Sequence, residues 1–146
     1  MKKLLFLLDT DPYPSVFDTV VAYDGGADRV AGYAGVTPDM VGPLVDGTIF
    51  TRGGKEKQKT AIFVGGGDMA KGEALLKAVQ KKFFGPFRVS VMLDPNGSNT
   101  TAAAGVALLA KATKLYAHVQ TDVLKLKYYH QRYTNYLAWL TSQSGT

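Results

Sequence analysis

Two apolar runs in this chain, Lys3–Leu8 and Thr60–Val64, each end on a polar or glycine-rich turn that leads into a helix-forming segment. This alternation constrains the fold more than any other feature. A strand followed by a helix returns the chain to a parallel neighbour, with the helix covering one face of the sheet. Runs that are apolar at successive positions predict strands covered on both faces. The expected fold is therefore α/β: a three-layer α/β/α arrangement with a mostly parallel sheet, plus a C-terminal amphipathic helix or helix pair. In such sheets ligands bind outside the carboxyl ends of the strands, so the loops that follow strands are the candidate sites.

Local signals place the remaining elements. Asp9-Thr10-Asp11-Pro12-Tyr13-Pro14 is a loop, since two prolines exclude regular structure. Ser15 is positioned to cap a short helix over Val16–Tyr23, which Asp24-Gly25-Gly26 would end. Arg29–Tyr33 is a strand candidate. Thr37-Pro38 is a helix start, with proline at the first helical position of Met40–Val45. Thr48–Thr51 reads as a brief β-like run before a polar loop, Arg52–Gln58. Asp68 is positioned to cap a helix over about Met69–Phe83, in which Leu75, Leu76, Val79 and Phe83 recur at helical spacing. Phe87–Leu93 reads as another strand, and Thr100 opens a long helix.

Charge divides the chain near residue 111. Residues 1–110 carry 12 basic and 11 acidic side chains, a net +1. Residues 111–146 carry five basic residues and one acid, a net +4, with six of the sixteen aromatics. From Val106 to Ser144 there is neither glycine nor proline, and Leu126, Tyr129, Tyr133, Tyr136 or Leu137, and Leu140 repeat every three to four residues. The expected organisation is an α/β domain over 1–112 and a helical segment over 113–146, with one helix or two left open. The chain has no cysteine, which excludes disulfides, thiolate zinc sites and cysteine nucleophiles. No apolar run has bilayer length. The start Met1–Asp9 imitates a signal peptide but breaks early at Asp9, so the expectation is a buried first strand in a cytoplasmic protein.

Four loops could carry chemistry. Gly65-Gly66-Gly67-Asp68-Met69-Ala70 fits the G-x-G-x-x-A pattern of a dinucleotide turn, but Asp68 would put a carboxylate where an anion should bind. No P-loop pattern occurs. Asp94–Thr101 holds six polar residues in eight positions, more than helix capping needs. Thr51–Gln58 could present Lys55 to an acidic substrate, or could equally be a solvated loop. Asp9 and Asp11 could hold a metal but lack further clustered ligands. Phe17, beside them, would ordinarily be a core residue.

Several of these segments occur together in a diagnostic order: Asp9-Thr10-Asp11, Pro14–Asp18, Tyr23–Asp28, Thr37-Pro38-Asp39, Val45–Ile49, Thr51–Gln58, Phe63–Met69, Phe83–Val89 and Asp94–Gly105. The series closely resembles the N-terminal domain of the NADP-dependent methylene-tetrahydromethanopterin and methylene-tetrahydrofolate dehydrogenases, over essentially residues 2–112. The resemblance implies an α/β domain facing a Rossmann domain across a cleft. The reduced pterin carrier lies in the cleft, NADP lies on the Rossmann side, and hydride passes between them without metal or flavin. It implies that Phe17 packs on the pterin or its imidazolidine ring. Thr101, with Asn96, Ser98 and Thr100, would line the same pocket. The Gly65–Asp68 turn belongs to this domain in the family and is not its NADP fingerprint.

Beyond Lys111 the chain departs from the family pattern of a strand and glycine-rich dinucleotide turn. The stretch Leu124–Arg132 is similar to the family's closing segment, with Lys125 in place and the histidine position falling on Tyr129, one residue before His130. The alternative is an unrelated amphipathic helix. Lys125 or Lys55 would meet negative charge on the carrier. On this reading these residues bind the reduced pterin, no cofactor or metal is bound by the chain alone, and its dehydrogenase activity alone is weak or absent. Two other readings stand beside it: a non-catalytic α/β scaffold, and nucleic-acid binding through the basic aromatic tail, which the modest charge disfavours. The C-terminal helix offers a surface for homo-oligomers.

Overall fold

A computed structural model of the chain describes residues 1–113. Four strands, β1 (Leu4–Asp9), β2 (Arg29–Tyr33), β3 (Thr60–Gly65) and β4 (Ser90–Leu93), form one sheet in the order β2-β1-β3-β4, and every pairing is parallel. The helices are α1 (Val16–Asp24), α2 (Val41–Phe50), α3 (Met69–Lys82) and α4 (Ser98–Thr113). The chain divides into two compact units after Asn96, so α4 belongs to the second. The expectations for residues 114–146 lie outside the described residues.

Strand alternation sorts the first unit into layers. Leu8, Ile62, Val64 and Leu93 point to one face, where they form a core with Val41, Val45 and Ile49 of α2 and Leu75 and Val79 of α3. On the other face, the carboxylate of Asp18 in α1 lies 3.5 Å from where a Cβ on Gly65 would stand, beside Phe63 and the buried Leu7. Helices on both faces give three layers. Helix α1 buries none of its residues fully, so its side of the sheet is thinly covered.

The caps form as the sequence predicts. Ser15 Oγ accepts from Asp18 N at 3.1 Å, and Asp68 Oδ1 accepts from Lys71 N at 3.0 Å. Thr37 does otherwise: its hydroxyl donates to Asp39 Oδ1 at 2.7 Å, holding that carboxyl below its usual range, and Pro38 opens a short 3-10 turn ahead of α2.

Three expected elements are corrected. Thr48–Thr51 is no strand: Thr48 and Ile49 continue the helical stripe begun by Val41 and Val45, and helix α2 runs to Phe50. The hydroxyls of Thr48 and Thr51 donate to the carbonyls of Val45 and Gly47, bonds that a strand could not supply. The Arg52–Gln58 loop contains a 3-10 helix over Gly54–Lys59, closed by Glu56 N donating to Gly53 O at 2.8 Å. The strand expected over Phe87–Leu93 begins only at Ser90. Before it, Phe84 and Phe87 exchange backbone hydrogen bonds of 3.3 and 2.8 Å across a Gly85-Pro86 turn, so that stretch pairs with itself rather than with β3.

Candidate functional site

The carboxyl ends of β1, β3 and β4 carry Asp9, Gly65 and Asp94. Asp9 is 1% exposed, and both of its carboxylate oxygens are engaged: Oδ1 accepts from Asp11 N at 2.9 Å and Oδ2 from Ser15 N at 3.0 Å. Its carbonyl accepts from Val36 N at 2.9 Å, and that of Asp11 accepts from Gly35 N at 2.6 Å. Asp9 therefore folds the proline-rich loop back onto the sheet and sets where α1 begins. These bonds give Asp9 a structural role in the loop. Among the described residues no three histidine or carboxylate side chains converge as metal ligands.

That loop holds Phe17 in the first turn of α1, 75% exposed, with Val16 and Tyr13 exposed beside it. A phenylalanine in an amphipathic helix normally turns inward. This one exposes its ring at the carboxyl edge of the sheet, so it is no core residue.

The glycine-rich turn after β3 does not fit a dinucleotide. A Cβ on Gly66 would collide with Thr10 Oγ1, and the backbone there has φ +114°, which side-chain-bearing residues avoid. The missing Cβ of Gly66 thus makes room for the β1–α1 loop. Asp11 Oδ2 lies 3.3 Å from a Cβ position on Gly67, and Asp68 already caps the α3 N-terminus. The turn is glycine-rich because two loops pack closely, and its charge would repel phosphate. No step through NADP follows from these residues.

Asp18, the third residue of α1, is partly buried beside Gly65. Burial pushes its carboxyl above the usual carboxylate range; the Ser15 hydroxyl pulls the other way, and the charges of Asp9 and Asp94 add to the rise. A carboxyl raised by folding binds its proton more tightly in the folded chain than in the unfolded one. Its unfavourable effect on stability therefore grows as pH rises through the carboxylate range and is fully present at neutral pH. Asp18→Asn should melt higher than the parent chain at pH 7. The difference should vanish near pH 3, as thermal scans at the two pH values would show.

The other expected site residues fall into separate places. Pro95 is buried against Gly72 of α3, where a Cβ would come within 2.5 Å of its Cγ. Asn96 follows it, exposed and left-handed at φ 54°. Ser98 and Thr101 are exposed and Thr100 is half-buried at the start of α4, where Thr100 Oγ1 donates to Gly97 O at 3.2 Å. Lys55 does not join this edge. It precedes β3, in a segment whose neighbours Arg52 and Lys57 bond to Lys2 O and Pro86 O at the amino end of the sheet. Sequence order alone could not show that, because the loops before and after a strand read alike. Lys125, Tyr129 and His130 lie outside the described residues.

Comparison with known proteins adds to this geometry. A family model described as methylene-tetrahydromethanopterin dehydrogenase, N-terminal, matches residues 16–96. The chain is 76% identical over 111 residues to the bifunctional protein MdtA of Methylorubrum extorquens, an alignment covering 76% of this chain and 38% of that protein. It is 34% identical over 122 residues to the NAD(P)-dependent methylenetetrahydromethanopterin dehydrogenase of the same organism, covering 84% of this chain and 40% of that one. The chain thus spans about two fifths of the length of the curated relatives it matches. No helix among the described residues is long and apolar enough to cross a membrane.

Proposed function

This chain belongs to the family of methylene-tetrahydromethanopterin dehydrogenase N-terminal domains, and from that premise we propose that its carboxyl edge binds a reduced pterin one-carbon carrier. The exposed Phe17 ring carries the reading: a flat apolar surface in the first turn of α1, whose start Asp9 holds, suits stacking on a flat heterocycle. Asn96 adds a polar side chain to the same unit, while Ser98, Thr100 and Thr101, in the second unit, enter the proposal from the sequence resemblance alone. Lys125, with Tyr129 and His130, enters the proposal from sequence alone. Lys55 leaves it because of its place at the amino end.

Dehydrogenation is the activity in one relative's name. Hydride transfer requires a nicotinamide held against the one-carbon bridge. The exposed Phe17 supports the carrier, and the close packing at Gly66 argues against the dinucleotide, so the proposed share of this chain is to bind and orient the carrier. We expect weak or no dehydrogenation from this chain by itself.

Isothermal calorimetry of the whole chain with tetrahydromethanopterin, and separately with NADP(H), tests this. Carrier binding that Phe17→Ala weakens about tenfold or more is expected, the range for an aromatic anchor. Absence of carrier binding would leave an α/β scaffold without this ligand.

A further inference from the structure

We propose that the amino edge of the sheet is a second binding surface, one that docks an acidic segment of another protein carrying an apolar side chain. Phe50 at the end of α2 and Phe84 in the turn before β4 are 58% and 53% exposed. They pack with Phe87 into a trio whose centroids lie 5.0 to 6.1 Å apart. The Phe84–Phe87 turn is strapped by its two backbone hydrogen bonds, with Gly85 at φ +47°, so the rings are presented on a fixed backbone. Exposed apolar clusters ringed by charge mark interaction sites.

The ring of charge is basic. Residues 50–59 hold four cations against the single acid Glu56, and residues 81–88 hold Lys81, Lys82 and Arg88 with no acid. The nearby acids are already paired, Glu56 with Arg52 at 3.8 Å and Asp46 with Lys82 at 3.5 Å. A net positive field surrounds the aromatic trio, and its complement is an acidic partner. The carboxyl edge carries Asp9, Asp11, Asp18, Asp68 and Asp94, so the two ends of the sheet differ in charge and can serve different ligands.

Ring geometry selects protein over nucleic acid. A base stacks on an open aromatic face. Here the rings tilt against one another by 30° to 50°, and Lys57 Nζ stands 4.1 Å over the Phe87 face. The exposed parts of Phe50 and Phe84 suit contact with an aliphatic or aromatic side chain. A second copy meeting this patch with its own would bring the same cations together.

Fluorescence anisotropy tests the proposal with a short labelled peptide of Asp and Glu containing one Phe and one Leu. A version with both apolar residues changed to Ser, and a labelled oligo-dT, serve as comparisons. The acidic apolar peptide should bind best. Its binding should weaken about tenfold or more between about 50 and 300 mM NaCl, as screening shortens the reach of the lysines. Lys57→Glu and Phe84→Ser should each weaken it about tenfold, with circular dichroism unchanged because both side chains lie outside the core. Phe17→Ala should leave it unaltered. Failure of the peptide to bind, equal binding of the Ser version or tighter binding of oligo-dT would each overturn the proposal. So would a concentration-dependent dimer, seen by sedimentation, that Phe84→Ser abolishes.

Discussion

Leu75→Ala should lower the unfolding free energy by about 3–4 kcal/mol, within the range for deleting a large buried aliphatic side chain. Leu75 is 0% exposed, at the centre of the face where α3 meets the sheet, in one cluster with Ile62, Val64 and Leu93. Strands on one side and α2 on the other fix its surroundings, so the site collapses poorly around the missing atoms. Helix propensity offsets only a few tenths of this, because leucine and alanine differ little. Urea denaturation followed by circular dichroism gives the value, and an unchanged slope would show that stability rather than compactness has moved. Phe17→Ala provides the contrast. With its ring 75% exposed, its loss should change stability by no more than about 0.5 kcal/mol. The residue that matters for the proposed ligand and the residue that matters for the fold are thereby separable.

The helices that could be read from sequence are those whose ends carry their own chemistry. Ser15 and Asp68 stand immediately before α1 and α3, and each accepts the backbone hydrogen bond its position predicts. β1 and β3 were legible as unbroken apolar runs, and β2 as a short run after a glycine stop. Where tertiary pairing decides, local pattern misled. Thr48-Ile49-Phe50-Thr51 has the composition of a strand, yet Thr48 and Ile49 share their buried helix face with Val45 and Val41, one and two helical turns back. Phe87-Arg88-Val89 has strand composition too, but Gly85-Pro86 closes Phe84 onto Phe87 before the sheet can take them.

The site was legible in outline and not in its workings. That function should sit on the loops after strands follows from the topology, and Asp9, Phe17 and Asn96 were all marked there. Their roles depend on the third dimension. Gly66 looks like a phosphate glycine in sequence, and only the approach of Thr10 shows that its missing Cβ makes room for a neighbouring loop. Phe17 looks like core until its exposure is seen. Lys55 looks like an anion receptor until the sheet assigns it to the opposite end. Asp18 carried no signal beyond being acidic, because its raised carboxyl arises from burial and from Asp9 and Asp94, which are far from each other in sequence.

Asp9→Ala should cost about 3 kcal/mol and should also weaken carrier binding in the protein that remains folded. Two charge-assisted backbone bonds are lost together, from Asp11 N and from Ser15 N, each worth about 1.5–3 kcal/mol. A smaller gain opposes this, since removing the Asp9 carboxylate relieves Asp18 of one neighbouring charge. The bonds outweigh the repulsion because Asp18 is partly solvated and its repulsion is screened. Two consequences distinguish this account from a simple loss of packing. Asp9→Asn keeps one carbonyl oxygen as an acceptor and turns an amide toward the other donor, so it should fall between the parent and the alanine variant. Asp18→Asn should raise the melting temperature less in the Asp9→Ala background than alone, because one of the charges it escapes is already gone. Additive effects in that double variant would mean that the two carboxylates do not interact.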